Sequence, residues 1–204
     1  MHKNINNLSV VELQDRPEFT EKCINYIWTE WKYDYFFHTP YTTKELLCKY
    51  IVKEDATENH DSVKNEFPKV FLLLEDNQSL VSFLMIDTDD CDMKKYVNTT
   101  TENTIWLCNL YTLPEHRKKG YMTYLLFHVT HNIHILSKFC KVTEKIEIYL
   151  WTEHQHLLNY YRKLGFSMFE KLPKVFDSNK AGTTTKYIMI YPVPILSKYS
   201  TLQY

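Results

Sequence analysis

Apolar residues follow two different periods along the chain and predict a mixed order of helices and strands. Runs with apolar residues three or four positions apart predict helices, whereas short apolar runs between turn residues predict strands. Four helices are predicted. The first begins near residue 15 and the second at Thr42 or Thr43, while the third covers residues 122–136 and the fourth residues 154–164. The predicted strands cover residues 10–13, 69–74, 80–86, 105–113, 145–151, 167–175 and 183–191.

The first two helices have recognisable features. Asp15 and Glu18 fit a capping box ahead of the first helix. The second helix is expected to bury one apolar face, which is formed by Leu46, Leu47, Tyr50 and Ile51. Between the two helices, residues 33–41 are rich in aromatic side chains, which either line a substrate entrance or pack beneath a loop.

The later segments predict a sheet with mixed strand directions. Asp76 and Asn77 form a tight turn that joins two strands into a hairpin. Residues 105–151 have the order strand, helix, strand, which implies one parallel pair. Polar residues at 54–66 and 87–103 predict surface loops. The fold class is therefore mixed α/β, with residues 1–204 in a single domain.

Charge and composition exclude several classes of protein. The 204 residues carry a formal net charge of -1, unlike the basic excess of nucleic-acid-binding proteins. No apolar run approaches the roughly 18 residues that a membrane span needs. The five cysteines are scattered without a C-x-x-C pair, which is typical of reduced thiols inside a cell. We expect a cytoplasmic protein without nucleic-acid or membrane partners. Both a monomer and a homodimer are compatible with the sequence.

A glycine and three cations stand where the strand at 105–113 gives way to a helix. The chain has only three glycines, so we expect Gly120 where the backbone needs a positive φ or a ligand approaches closely. Arg117, Lys118 and Lys119 precede it directly. Backbone N–H groups at a helix start, helped by the helix dipole and nearby cations, form an anion site. The alternative is a solvated basic turn.

This segment resembles the acyl-CoA signature of the GNAT superfamily of N-acetyltransferases, Arg/Gln-x-x-Gly-x-Gly/Ala. Here it reads Arg117-Lys-Lys-Gly120-Tyr-Met122. The resemblance implies a mixed, mostly antiparallel sheet that is flanked by helices and whose central parallel strands splay to admit acetyl-CoA. In that family the loop and helix start bind the CoA pyrophosphate, and exposed backbone of the preceding strand pairs with pantetheine.

The resemblance assigns cofactor contacts to the residues of this sequence that match the motif. The residues assigned to pyrophosphate are Arg117, Lys118, Lys119, Gly120, Tyr121, Met122 and Thr123. The contacts to pantetheine fall near Leu110 and Thr112. Met122 departs from the signature, which has glycine or alanine there. Its side chain either crowds the pyrophosphate or turns into the core.

A second resemblance lies one strand later, where residues 157–166 are similar to the family's ending L-Y-x-x-x-G-F. In the family this tyrosine lies beside the thioester sulfur and can protonate the departing CoA thiolate, which implies Tyr161 as the general acid. The alternative is a structural tyrosine that packs under Phe166. The family often has asparagine and alanine where this chain has His154 and Leu157. The resemblance implies that His154 contacts the cofactor.

Two carboxylates are candidates for the group that accepts a proton from the attacking amine. Asp87 ends the hairpin strand, and Glu153 follows the strand at 145–151. Either a solvated acidic loop or a site for a cationic amine is formed by Asp87, Asp89, Asp90 and Asp92. No metal site is expected from the helical histidines, because their spacing drifts around the axis and no carboxylate or cysteine completes the set; they are His128, His131 and His134.

The sequence thus predicts an acyltransferase that moves an acetyl group from acetyl-CoA directly to a primary amine. The acceptor is a small amine, polyamine, aminosugar or protein amine. The rival is a catalytically inactive acyl-CoA-binding or interaction module with the same fold, motivated by Met122, His154 and the unassigned base. A nucleotide- or phosphate-binding domain is a third candidate, but the chain lacks the loop G-x-x-x-x-G-K-[ST] that would support it.

Overall fold

Seven strands and four α-helices lie in the part of the chain that the computed structural model describes. It describes residues 7–38, 41–52, 68–88, 93, 96–97, 104–132, 145–177 and 182–194. The strands are β1 (Leu8–Glu12), β2 (Lys69–Glu75), β3 (Ser79–Asp87), β4 (Thr104–Thr112), β5 (Lys145–Thr152), β6 (Ser167–Asp177) and β7 (Gly182–Pro194). The helices are α1 (Thr20–His38), α2 (Lys44–Val52), α3 (Tyr121–His131) and α4 (Leu158–Lys163).

The strands form one sheet in the order β1-β2-β3-β4-β5-β7-β6. β4 and β5 are parallel, and every other neighbouring pair is antiparallel. The predicted mixed sheet and its parallel pair are confirmed. Asp76 and Asn77 join β2 to β3 with φ values of 54° and 57°. Gln78 completes the turn between Glu75 and Ser79, and its N–H donates to the Glu75 carbonyl at 3.1 Å. Positive φ values at the two central residues of such a turn follow the twist of the strands.

The two faces of the sheet bury separate apolar cores, because side chains alternate between faces along each strand. One core lies between the sheet and the helices α3 and α4, and it includes Leu73, Ile86, Leu107, Leu125 and Tyr161. The other lies between the sheet and the helices α1 and α2, and it includes Ile27, Leu47, Leu72, Phe83 and Tyr111. The sheet therefore separates two apolar cores, each covered by its own pair of helices.

The first helix begins later than the sequence predicts. Two short 3₁₀ turns, Leu13–Asp15 and Pro17–Phe19, precede α1. A residue before proline is disfavoured in the helical region, and Arg16 has φ -138° and ψ 61°. The chain therefore cannot start an α-helix at residue 15, and the predicted capping box of Asp15 and Glu18 is wrong.

Helix α1 continues through most of the aromatic segment at 33–41 and is kinked at Trp31, whose φ is -126° and ψ is 18°. The side chains of residues 33–40 lie outside the described part of the chain. The two roles predicted for this aromatic segment therefore stay predictions. Thr43 caps α2, because its Oγ1 accepts a hydrogen bond from the Leu46 N–H at 3.2 Å. Leu46 was predicted on the buried face, but it points outward and is 41% exposed.

Other boundaries differ by a few residues. β1 begins two residues before the predicted strand at 10–13. The predicted helix at 154–164 is a 3₁₀ turn, Gln155–Leu157, followed by the six residues of α4. The described part of the predicted helix at 122–136 ends at His131. Residues 133–136, the predicted loop at 54–66 and most of the predicted loop at 87–103 lie outside the described ranges.

Gly165 ends α4 in a conformation that only glycine adopts easily, so we expect Gly165→Ala to destabilise the fold. Its φ is 97°, and an added Cβ would lie 2.6 Å from Tyr191 Cε2. The left-handed backbone alone costs an L-residue roughly 1–2 kcal/mol, and the contact adds to that. Urea unfolding measures the loss. Gly120→Ala is the matched control, because Gly120 has φ 81° but open space around its Cβ position. Equal losses in the two variants would contradict the steric argument.

Candidate active site

Strand β4 changes course at Asn109. This residue has φ 48°, a left-handed conformation that asparagine tolerates better than most residues. Met85 pairs with Cys108 but Phe83 pairs with Tyr111, so β4 gains one residue against β3 at this point. The extra residue is a β-bulge, which bends the strand that carries it.

β4 and β5 are paired only where they begin. The pairs are Thr104 with Glu147, Ile105 with Ile148 and Trp106 with Tyr149. β4 continues to Thr112 and β5 to Thr152, and the described residues show no further pairing between them. The bulge and this early end of pairing open the sheet between its two central strands.

Leu110 and Thr112, the predicted pantetheine contacts, direct their backbone groups into this opening. The Leu113 N–H donates to the Val81 carbonyl at 3.1 Å, so the backbone of Leu113 faces β3. Successive residues of a strand direct their backbone groups to opposite edges. The groups of Thr112 and Leu110 consequently face the β5 side, where the sheet is open.

A left-handed loop connects β4 to α3. After the 3₁₀ turn Pro114–His116, Arg117 is extended, Lys118 has φ 63° and Gly120 has φ 81°. α3 begins at Tyr121 directly after this turn. The first N–H groups of a helix have no acceptor within the helix, and the positive end of the helix dipole lies with them. The loop thus places a local positive potential at the end of β4.

The side chains of Arg117, Lys118 and Lys119 are exposed, and those of Arg117 and Lys119 bond to different backbone carbonyls. Arg117 Nε donates to the Thr112 carbonyl at 3.1 Å, and its guanidinium lies 5.4 Å from the centroid of the Tyr111 ring. Lys119 Nζ donates to the Glu115 carbonyl at 2.8 Å. These contacts hold the Arg117 side chain against β4, beside the opening of the sheet.

The side chains after Gly120 turn away from the loop. Tyr121 is buried, and its hydroxyl donates to Glu75 Oε1 at 2.7 Å. Met122 is half-buried and packs against the core on the α3 side of the sheet. Of the two interpretations of Met122, the structure favours the one in which its side chain turns into the core. Thr123 Oγ1 lies 3.1 Å from the Tyr160 hydroxyl.

Tyr161, the predicted general acid, lies on α4 within the same core. It is 8% exposed, and its ring meets the Phe166 ring edge-on at a centroid distance of 6.0 Å. Burial is the main cause that raises the pKa of Tyr161, and the neighbouring Tyr160 adds to it. In the described part of the chain, the Tyr161 hydroxyl has no hydrogen-bond partner. The phenol therefore stays protonated at neutral pH.

A sequence profile of the acetyltransferase (GNAT) family matches residues 22–166. The match covers more than half of the chain and includes the loop at Gly120 and the helix that carries Tyr161. The chain belongs to the GNAT acetyltransferase family. It is accordingly an acyltransferase. Among curated protein sequences, none matches the chain significantly.

Solved structures of N-acetyltransferases have a similar fold. A mutant of the spermidine N-acetyltransferase SpeG from Vibrio cholerae is 15% identical with a TM-score of 0.63, over 92% of this chain and 94% of that chain. A spermidine/spermine N-acetyltransferase SpeG from Vibrio cholerae, in complex with manganese ions, is 16% identical with a TM-score of 0.60, over 92% of this chain and 93% of that chain. At such identities the likeness concerns the fold, and it agrees with the predicted fold class.

In this acetyltransferase, His154 stands just beyond β5, on the other side of the opening from Leu110 and Thr112. Its side chain is exposed, and its ring lies 5.4 Å from the His156 ring. Its backbone N–H donates to Thr152 Oγ1 at 3.1 Å. The hydrogen bond ties the chain to the end of β5, where the wall of the opening ends.

The two candidate proton acceptors have different surroundings. Asp87 is the last residue of β3 and is 6% exposed. Its carboxylate accepts hydrogen bonds from the Tyr50 hydroxyl and from the Thr88 N–H. Glu153 follows β5 and is half-exposed. The other acidic residues that were predicted to cluster with Asp87 lie outside the described part; they are Asp89, Asp90 and Asp92.

The predicted absence of a metal site concerns the histidines of α3. His131 Nδ1 lies 3.0 Å from the Phe127 carbonyl oxygen, and burial lowers the pKa of His128. His134 lies outside the described ranges. Where side chains are described, no three histidine, cysteine or acidic residues come together as metal ligands. Likewise, no helix found in those ranges combines the length and apolar character needed to cross a membrane.

Three residues at the site were missed from the sequence. Asn109 makes the bulge, and a polar residue within an apolar strand was the available signal for it. Tyr50 reaches Asp87 from α2, but a sequence does not show which strand a helix faces. Tyr160 contacts the first turn of α3, and its neighbour Tyr161 alone fitted the motif.

Proposed function

We propose that the chain is an acetyl-CoA-dependent N-acetyltransferase that transfers the acetyl group directly from the thioester to a primary amine. The observation that carries this proposal is the position of the left-handed loop at 117–120. It starts α3 at the same end of the sheet at which β4 and β5 have parted. An anion at the helix start and an extended chain along β4 can therefore belong to one molecule. CoA has this form, because its pyrophosphate carries the extended pantetheine arm.

The loop fits a pyrophosphate in both space and charge. A Cβ at Gly120 would meet no atom within 4 Å, so a ligand can approach the backbone there. No acidic residue occurs in the first turn of α3. The exposed side chains of Arg117, Lys118 and Lys119 supply positive charge beside the helix start. We assign the pyrophosphate to these groups and to the backbone of residues 120–123.

The opening of the sheet fits the pantetheine arm. The amides of the pantetheine arm need partners with the hydrogen-bonding pattern of a strand, and the backbone edge at Leu110 and Thr112 offers that pattern. The Thr112 carbonyl accepts from Arg117 Nε and has a second lone pair for the arm. His154 stands at the opposite wall and is proposed as a contact there. Tyr161 then serves as the proton donor to the departing thiolate, since burial keeps its phenol protonated.

The proposed acceptor is a primary amine of a small molecule or peptide. Spermidine N-acetyltransferases occur among the structures with a similar fold, and we therefore propose polyamines as the first acceptors to test. Release of free CoA thiol from acetyl-CoA, followed across a panel of amines, measures this activity. Binding of acetyl-CoA without turnover on any amine would favour the inactive module with the same fold. The position of Met122 in the core removes one reason for that alternative.

Acetyl-CoA is expected to raise the thermal stability of the protein, because a ligand that binds only the folded state stabilises it by mass action. At about 100 times its dissociation constant the gain is roughly 2.7 kcal/mol. For a chain of this size, that corresponds to an increase in Tm of about 5–11 °C. Thermal unfolding with acetyl-CoA, ATP and NAD in parallel measures the effect. An unchanged Tm at millimolar acetyl-CoA, or equal shifts with all three ligands, would contradict the proposed cofactor.

A further inference from the structure

A buried carboxylate lies on the face of the sheet opposite to α3, where β4 and β5 part. Phe83 and Met85 of β3 pack on the side of α1 and α2. Asp87 follows them at alternate positions and therefore faces the same side. It is paired with Trp106, which is the last residue of β4 that is paired with β5. Asp87 thus marks the closed end of the opening.

Tyr50 holds this carboxylate from the helix α2. Its hydroxyl donates to Asp87 Oδ2, while Asp87 Oδ1 accepts the Thr88 N–H at 2.7 Å. Tyr50 is in turn stacked on Tyr41, with ring centroids 4.1 Å apart. Burial and the adjacent Asp87 charge raise the pKa of Tyr50, which keeps it in the donor form. The carboxylate is therefore fixed in direction by a group from another element.

The direction in which a pantetheine arm runs places the reacting carbon near Asp87. The arm enters from the loop at 117–120, beyond the end of β4, and extends back along this strand towards Trp106. Its thioester end is then the part nearest to the closed end, at the level of Cys108. Cys108 and Tyr50 both pack against the apolar core on the α1 and α2 side of the sheet. Asp87 lies two residues along and one strand across from Cys108, roughly 8 Å from it. An amine beside Cys108 can therefore reach the Asp87 side chain directly or through one water.

We propose that Asp87 binds the ammonium group of the acceptor and takes its proton, with Tyr50 as the residue that positions the carboxylate. This inference rests on the proposed function and names the chemistry of its acceptor side: an aliphatic primary amine that is cationic in water. A carboxylate removed from bulk water attracts a cation more strongly than an exposed one.

Transfer of the acetyl group to an ammonium ion requires that nitrogen lose two protons and that the CoA sulfur gain one. The ammonium gives one proton to the Asp87 carboxylate, which passes it to solvent. The neutral amine nitrogen forms a bond to the thioester carbon, and the carbon–sulfur bond then breaks. The sulfur leaves with the electron pair and receives a proton from Tyr161. The nitrogen loses its second proton to water, and water returns one proton to Tyr161, so one proton is released per acetyl group transferred.

Glu153 is the rival for this role, and its position favours Asp87. Glu153 follows the end of β5, which runs parallel to β4 from the pairing at Tyr149. It therefore lies towards the entrance of the opening, nearer to the loop than to the closed end. A base there would be beside the pantetheine arm rather than beside the thioester.

Kinetics of matched variants test the assignment. The acceptors are spermidine, which is cationic at neutral pH, and 2,2,2-trifluoroethylamine, which is largely unprotonated there. We expect Asp87→Asn to lower kcat/KM for spermidine by about 10²- to 10⁴-fold and to affect trifluoroethylamine much less. Tyr50→Phe should show the same split with a smaller loss, because the carboxylate remains. Asp76→Asn, in the β2–β3 turn, is the matched control and should leave both rates unchanged.

Binding of acetyl-CoA to each variant, measured by calorimetry, separates this inference from the proposed function. An unchanged dissociation constant in Asp87→Asn shows that the variant is folded and that the cofactor side is intact. Parent-like rates with spermidine in that variant, or an equal loss for both amines, would overturn the role of Asp87. A large loss in Glu153→Gln instead would transfer the role to Glu153. If the parent protein binds acetyl-CoA but acetylates no amine, the proposed function itself fails.

Discussion

Tyr161→Phe is expected to lower kcat by about 10²- to 10⁴-fold, while acetyl-CoA binds nearly as tightly as it does to the parent protein. The substitution removes one hydroxyl and keeps the ring that packs against Phe166. The hydroxyl has no partner in the described part of the chain, so its removal leaves no donor or acceptor there unsatisfied. Its effect should therefore appear when the thiolate departs and not in the stability of the fold.

The raised pKa of Tyr161 is compatible with this role. A phenol of higher pKa is a weaker acid, which by itself would slow the transfer of its proton. The same burial penalises a thiolate formed beside it, because desolvation disfavours every charged group. Both pKa values therefore rise together, and a hydrogen bond from the phenol to the developing thiolate stays favourable.

Tyr160→Phe is the matched control for this experiment. Its hydroxyl lies 3.1 Å from Thr123 Oγ1, so the loss of that contact should cost about 1 kcal/mol of stability and leave kcat nearly unchanged. Urea unfolding and steady-state kinetics on both variants give the comparison. A full rate in Tyr161→Phe, with chemistry shown to be rate-limiting, would point to water as the proton donor. A large rate loss in Tyr160→Phe alone would move the role to Tyr160.

The order of strands and helices was predictable, because it depends on periods and turn residues that are local in sequence. Asp76 and Asn77 fixed the hairpin, and the strand-helix-strand order around Gly120 fixed the parallel pair. The start of α1 was not predicted, since the conformational restriction before Pro17 outweighed a fitting capping pair. Leu46 was misplaced for a similar reason, because periodicity alone did not fix the rotation of α2 against the sheet.

The candidate site was predictable only where it is built from one continuous segment. The loop at Gly120 has its cations and its helix within a few residues, and both motifs of the family are local. The acceptor side is different, because Tyr50 and Asp87 come from elements 37 residues apart. Asp87 was named as a candidate from its place at a strand end, but its partner depends on how α2 packs. A side-chain pair of this kind is decided by the tertiary fold.

The second large effect is expected from Gly120→Asp, which should weaken the binding of acetyl-CoA by roughly 10²-fold or more. A carboxylate at this position would lie close to the pyrophosphate, and two like charges about 4 Å apart repel by about 4 kcal/mol near a protein surface. Each 1.4 kcal/mol is about a factor of ten in the dissociation constant. Isothermal calorimetry with acetyl-CoA measures the change, at low salt so that screening stays small.

Gly120→Ala separates the charge from the backbone in this experiment. The position has φ 81° and open space around the Cβ, so alanine adds strain without a clash. Aspartate tolerates the left-handed region better than alanine does, and a negative charge at a helix start favours the folded state. We therefore expect Gly120→Asp to unfold at the same or higher urea concentration than Gly120→Ala and yet to bind acetyl-CoA far more weakly. Opposite orders of stability and affinity cannot arise from a damaged fold. Equal affinities in the two variants would place the pyrophosphate away from this loop.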